Sequence, residues 1–201
     1  METDLGHIVY RHLRSRLSMA KAKTGSFYLT ETVILPTTSA SGTVVQGTID
    51  LGAYVNVPTG QAVAIESVDF VYQNSANFLG SAANMLNADG AIHTQLSDLN
   101  PGTAMLRADN QSLVASGSIN VDYSANIATQ QTDLYPDNFG PAAMSEAFMV
   151  VNDTLYLTAG VGNAAIGGSD VFVTARIKCR VVKLSSEDWM AIAIQSTASD
   201  N

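Results

Sequence analysis

Few side chains in this sequence are suited to chemistry: three histidines, one cysteine and a scatter of carboxylates. His7 and His12 lie near the N-terminus, which leaves His93 alone in the body of the chain. Three nitrogen ligands for a catalytic metal cannot be assembled from one histidine. A Ser-His-Asp arrangement through His93 is specified by no spacing, because such triads are defined by geometry and not by sequence position. Asp50 and Asp69 are the carboxylates placed to meet across strands, with separate solvent faces as the alternative. Gly160-Val161-Gly162 and Gly167-Gly168 supply the glycines of a phosphate cradle, but that motif needs a strand before it and a helix after it. A strand pattern follows instead, so a flexible hairpin loop is expected over Gly160 to Gly168. Cys179 is the only cysteine and excludes an intrachain disulfide. Its position in an apolar ladder predicts a small buried hydrophobe. The expectation is a protein that is not an enzyme, with no cofactor, no metal and no small-molecule substrate.

What remains is architecture. Asp170 to Lys183 reads as one long strand, since Val171, Val173, Ala175, Ile177, Cys179 and Val181 alternate with Thr174, Arg176, Lys178 and Arg180. Successive strand side chains point to opposite sides, so an apolar face is backed by a basic one. Phe27 to Leu35 alternates in the same way and ends at Pro36. After a Ser/Thr/Gly turn, Val45 to Val57 does so again, closed by the turn Pro58 to Gly60. In Ala62 to Tyr72 the apolar residues change parity, from Val63 and Ile65 to Val68, Phe70 and Tyr72. A bulge near Glu66 reconciles them, because one extra residue swaps the faces. Gln73 to Gly102 breaks the rhythm, and a short helix is expected near Ser81 to Asn87 or Thr94 to Leu99 in an insertion that packs on a sheet edge or meets a neighbour. Strands are expected again at Thr103 to Ala108, Ser112 to Tyr123, Ala147 to Val151 and Thr154 to Ala159, with a long connection from Ser124 to Glu146. Asn152-Asp153 is the turn between the last two. Ser186 to Ile192 predicts a short capped helix with acids in its first turn.

Charge is unevenly laid out. The chain totals −8, yet residues 1–23 sum to +3, residues 24–183 to −8 and the remainder to −3. The basic residues of the first segment are Arg11, Arg14, Arg16, Lys21 and Lys23. Leu5, Val9, Leu13 and Leu17 recur every four residues with Ile8 beside them, Thr3 or Asp4 can cap the run, and Gly25 stops it. This predicts a basic amphipathic helix that lies on a membrane, along nucleic acid or against its own or a neighbouring domain. The arginines interrupt any apolar core of a secretion signal, so synthesis in a cytoplasm is expected. Only 14% of the residues are charged, and a neutral polar exterior suits surfaces that meet other subunits.

One domain accounts for the 201 residues. It is expected to be all-β: an eight-stranded antiparallel jelly-roll sandwich over residues 26–185, an N-terminal amphipathic helical arm over 1–25, short helical insertions, and a short helix and tail over 186–201. With its basic arm Arg11 to Lys23, eight strands from Phe27 to Leu184, an insertion after the third strand and a neutral exterior, the chain resembles single jelly-roll viral capsid proteins along nearly its whole length. That resemblance implies a structural virion protein made in the host cytoplasm, a self-assembling capsid subunit. It implies partners in further copies of the chain and other virion proteins, and an arm facing membrane, genome or a neighbouring subunit. The arm's charge of +3 is far below that of capsid arms that condense nucleic acid unaided, which favours a lipid-facing or subunit-clamping arm.

Arg176, Lys178 and Arg180 form a second basic group, about 7 Å apart on one strand face. Like charges so placed repel unless something anionic lies over them, and a neighbouring subunit's acidic surface would serve. Solvation or protection of a sheet edge is the alternative. A surface adhesin or carbohydrate-binding sandwich is the rival function, with Tyr54, Tyr123 and Tyr135 stacking on sugar.

Overall fold

The structure is a computed structural model, and it describes residues 20–78, 85–132 and 148–198. Among the described residues, ten strands, one 3-10 turn (Val57–Thr59, between the third and fourth strands) and one α-helix follow one another: β1 (Lys21–Ala22), β2 (Phe27–Leu35), β3 (Val44–Asp50), β4 (Gln61–Asn74), β5 (Gly90–Ser97), β6 (Leu113–Asp122), β7 (Ile127–Thr132), β8 (Phe148–Val150), β9 (Thr154–Gly162), β10 (Val171–Lys183) and α1 (Ser186–Ala198). They form two five-stranded antiparallel sheets. In one, β10 lies between β4 and an edge shared by β1 and β2, and β8 flanks β4; the other runs β3-β9-β5-β6-β7.

The pairing follows a simple rule. β2 pairs β10, β3 pairs β9, β4 pairs β8 and β5 pairs β6, as in one long hairpin folded at the β5–β6 connection. Rolling that hairpin sends alternate pairs to opposite sheets, which gives β2-β10-β4-β8 facing β3-β9-β5-β6. This is a jelly roll. β7 is an extra strand added beyond β6, and Gln130 on it donates to the Phe70 carbonyl of β4 at 3.0 Å, tying the two sheets together.

Alternation explains why these segments are strands. The inward faces of β10, β4, β9, β5 and β6 supply a continuous core in which Ile65, Ile177, Leu155, Leu157, Ile92 and Leu96 are wholly buried. Each such side chain stabilises the sandwich by about 1.5–3 kcal/mol. β10 keeps one parity throughout while β4 changes it. Lys178 faces Ser67 and Cys179 faces Ile65, so Glu66 is the extra residue of a bulge at the predicted place. Gly47 on β3 is required by close packing, since a Cβ there would come within 2.7 Å of Glu31 Oε1 and 2.8 Å of Val33 Cγ1.

The structure differs from expectation in several places. The stretch 73–102 contains β5, a central strand, and Thr94 to Leu99 is strand and turn instead of helix. Residues 79–84, in the other proposed helix, lie outside the described residues. Thr103 to Ala108 forms no strand; it crosses the outer face of the β9 sheet, where the side-chain amide of Gln95 accepts from Leu106 N–H at 2.7 Å and donates to Leu106 C=O at 2.8 Å. One side chain thus satisfies the backbone groups a ladder would have used. β7 lies within the connection 124–146, of which residues 133–146 are outside the described region. Lys21–Ala22, placed by sequence in the last turn of a helix, pair with Lys183 and Val182 as a short strand. The arm's residues 1–19 lie outside the described structure.

α1 is longer than its sequence pattern predicts and is capped by Ser185. Asp188 N–H donates to Ser185 Oγ at 3.1 Å, which is the N-cap bond, and the Ser185 hydroxyl donates to the Asp188 carboxylate at 2.7 Å. The helix covers the outer face of the first sheet at the end beyond the bulge. There Ala62, Ala64 and Val182 are fully buried beneath Trp189, Ile192 and Ala193.

Candidate assembly surface

The uncovered part of that outer face carries the basic ladder. β2 sets Tyr28, Thr30, Thr32 and Ile34 beside Lys178, Arg176, Thr174 and Phe172 of β10, while β4 sets Ser67, Asp69, Val71 and Gln73 on the other side. Thr32 and Thr174 share a hydrogen bond of 2.8 Å between their hydroxyls.

The anion expected over the ladder is present within the chain itself. The bulge turns Glu66 outward against β10, where it is 4% exposed. Its carboxylate accepts from Arg180 through both Nε and Nη2, from Ser26 Oγ at 2.9 and 3.0 Å, and lies 3.5 Å from Lys178 Nζ. A guanidinium fork on a buried carboxylate is among the stronger polar contacts. Arg180 and Lys178 are therefore answered by Glu66, so the repulsion inferred from sequence is relieved without a neighbour. Arg176 remains exposed, with its guanidinium 5.6 Å from the Tyr28 ring centroid, a cation–π contact of about 0.5–1 kcal/mol at such a site. Beside it, Tyr28 and Ile34 are 56% and 48% exposed. At the far end Phe78, 62% exposed, stacks on Phe172 with centroids 6.0 Å apart. Exposed aromatics, an isoleucine and an unburied arginine thus lie along one sheet face.

The other predicted residues are dispersed. Arg11, Arg14 and Arg16 lie outside the described residues. Lys21 and Lys23 sit at the β1 edge beside α1, where Lys23 Nζ donates to Gln61 Oε1 at 3.0 Å. His93 is exposed on β5, opposite Gly160 and Ser118. Asp50 and Asp69 belong to different sheets and do not form a pair: Asp69 stands opposite Arg176, while Asp50 accepts from Gly52 N–H at 2.7 Å. Tyr54 is not available to a sugar, because it is partly buried against Phe27 with ring centroids 5.1 Å apart. Tyr123 is 49% exposed, and Tyr135 lies outside the described residues. The glycine-rich run continues β9 to Gly162, and Gly160 makes room for Met105, whose Cε would lie 2.8 Å from a Cβ there. Cys179 is fully buried, and desolvation pushes its thiol up to about 12, as a small core hydrophobe requires.

Asp98 is the residue that sequence reasoning missed. It is 2% exposed, just beyond β5, and its Oδ1 has no hydrogen-bond partner among the described residues. Its backbone is held by Ser112 C=O at 3.0 Å and by Asn152 Nδ2 at 2.9 Å. Burial pushes its carboxyl up to about 7. An aspartate in a Ser-Asp-Leu-Asn run looks like any exposed turn residue, and nothing in the sequence marks it as buried.

No protein-family model matches the chain, and no curated protein does. Solved structures do. One is a cryo-EM structure of Mud Crab dicistrovirus, with 14% identity and a TM-score of 0.36 over 81% of this chain and 70% of that one. Another is Merkel cell polyomavirus VP1 in complex with disialyllactose, with 10% identity and a TM-score of 0.40 over 82% and 98%. A third is trichodysplasia spinulosa-associated polyomavirus VP1 in complex with GM1 oligosaccharide, with 10% identity and a TM-score of 0.39 over 82% and 97%. The chain resembles viral jelly-roll proteins. The jelly-roll assignment itself rests on the strand order described above.

Proposed function

We propose that this chain is a structural virion protein, a capsid subunit that assembles with copies of itself and with other virion proteins. The observation that carries the reading is the outer face of the β2-β10-β4 sheet. Tyr28, Ile34, Phe78 and Arg176 stand exposed there, and none of them is needed by the chain's own core. Aromatic residues and arginine are the types enriched where subunits meet, and lysine and acids are depleted there. A jelly roll supports this use because its sheets are rigid and its outward positions are free to vary without disturbing the core.

In this reading the protein is not a catalyst. It is made in the host cytoplasm and ends in the virion. Its basic residues Arg11, Arg14, Arg16, Lys21 and Lys23 meet a membrane, a genome or a neighbouring subunit. Arg176 of the ladder contacts a neighbour, while Lys178 and Arg180 hold the sheet through Glu66.

Light scattering across protein and salt concentration tests the reading. Species many times the 21.2 kDa of one chain are expected, and the double substitution Tyr28→Asp with Arg176→Glu should raise the concentration at which they form. A monomer at every concentration that binds glycans would instead favour the carbohydrate-binding sandwich.

A further inference from the structure

Residues 98–112 leave the end of β5, cross the outer face of the β3-β9-β5 sheet and return at the start of β6. The two ends meet, for Asp98 N–H donates to the Ser112 carbonyl at 3.0 Å, so the segment is a strap of the Ω-loop kind. Two glutamine side chains fasten it to the sheet. Gln46 Nε2 on β3 donates to Asn100 Oδ1 at 3.1 Å and to Gly102 C=O at 2.9 Å, and Gln95 on β5 holds Leu106 through both atoms of its amide. Thr158 on β9 stands in register between those two glutamines. Met105 reaches over Gly160, the next outward position of β9.

The closed strap leaves polar atoms unmet. Thr158 is wholly buried, and its Oγ1 has no hydrogen-bond partner among the described residues. At the base of the strap Asp98 is 2% exposed, with Oδ1 in the same condition. Buried polar atoms without partners favour any state that hydrates them, and lifting the strap would admit water to both. Among the described residues no cation pairs with the Asp98 carboxylate. Of the charged groups on the elements around it, Arg107 and Asp109 of the strap pair with each other at 3.2 Å. Asp153 of the β8–β9 turn accepts from Thr154 Oγ1 at 3.1 Å, Asp50 of β3 accepts from Gly52 N–H, and His93 lies farther back on β5. Burial therefore dominates and pushes the Asp98 carboxyl up to about 7.

We infer that residues 98–112 are a pH-gated strap, closed over the row of Gln46, Thr158 and Gln95 while Asp98 is protonated and lifted from it when Asp98 ionises. The proton goes to solvent and no covalent bond changes. In the lifted state the new carboxylate and the Thr158 hydroxyl are hydrated, and two amides and a hydroxyl on adjacent strands face outward as uncharged hydrogen-bonding groups. Releasing two side-chain fastenings disturbs little beside unfolding the core, so the strap opens as a local unit. A carboxyl in water is already ionised at pH 6, whereas the buried one is ionised only as pH passes about 7. The lifted state therefore gains on the closed one as pH rises, by about tenfold between pH 6 and pH 8. This inference is independent of the capsid reading, for it concerns one loop of a single chain.

Arg107 is an exposed residue of the strap and the only lysine or arginine between Lys23 and Arg176, so trypsin has one site in the body of the full chain. Cleavage there follows the population of the opened segment when opening is fast. The rate at which the fragment ending at Arg107 appears is measured for the wild type and for Asp98→Asn at pH 6 and pH 8. The ratio of the two rates cancels trypsin's own pH dependence, and it should rise about tenfold over the interval. A ratio equal at both pH values would overturn the inference. Gln95→Ala removes both bonds to Leu106 and should speed cleavage at either pH; no acceleration would also overturn it. Amide exchange on the wild type alone gives a second reading, because Leu106 N–H is held by the Gln95 side chain. Leu106 should lose about tenfold in protection from pH 6 to pH 8 while staying less protected than Ile177 in β10. Equal protection of the two would mean that the strap opens only when the whole fold does, which contradicts the inference.

Discussion

Asp98→Asn should remove a large part of the pH dependence of folding. The unfolded chain releases this proton around 3.8, whereas the folded protein holds it until about 7. Between those values the folded state binds more protons, so its stability falls as pH rises through the interval and levels off above it. At 1.36 kcal/mol per pKa unit, ionising Asp98 in place costs about 4 kcal/mol above pH 7, and about 2.6 kcal/mol of this develops between pH 5 and pH 8. The cause is desolvation of a carboxylate whose Oδ1 has no partner among the described residues. Asparagine has nearly the same shape and leaves the backbone bonds to Ser112 and Asn152 intact, but it cannot ionise. Urea unfolding at pH 5 and pH 8 on both proteins isolates the effect from other titrating groups. The wild type should lose about 2.6 kcal/mol more than the variant between the two pH values. Parallel losses, agreeing within about 0.5 kcal/mol, would refute the argument from burial.

Three further outcomes follow from the packing. Glu66→Gln should destabilise the fold by about 1–3 kcal/mol, because Arg180 loses its charge-assisted partner; an unchanged urea midpoint would contradict this. Gly47→Ala should cost about 1–3 kcal/mol through overlap with Val33 and Glu31, read from the same denaturation curves. Cys179 should resist a thiol reagent in the folded protein and react fully in denaturant, since it is wholly buried and its thiol is pushed up to about 12; rapid labelling of the native protein would show otherwise.

How much of this could be read from residues alone depends on where partners lie in the chain. β2, β10 and the first half of the run Val45 to Val57 were legible because two-residue alternation is a local signal, but β3 ends at Asp50 and Leu51 to Asn56 turn although they alternate. The bulge at Glu66 was legible too, where apolar parity changes within one strand. β5 was not, because its inward face carries Thr94 between Ile92 and Leu96, and its flanks are rich in Asn, Asp and Gly. Thr103 to Ala108 misled in the opposite sense. Met105 and Leu106 are apolar because they cover the outer face of a sheet, and the Gln95 side chain takes the place of a ladder. The ladder residues were located correctly on one face, but their counter-ion was not. Glu66 lies 114 positions from Arg180, and only the strand register brings them together. Asp98 shows the same limit, since its burial is created by Ser112 and Asn152 arriving from other loops.

The most direct test of the capsid reading is electron microscopy of the largest species formed by the purified full chain, imaged beside the Tyr28→Asp, Arg176→Glu variant. Closed shells or rings for the wild type, and few or none for the variant at the same concentration, are predicted. Isolated 21.2 kDa particles in both samples at every concentration would contradict it.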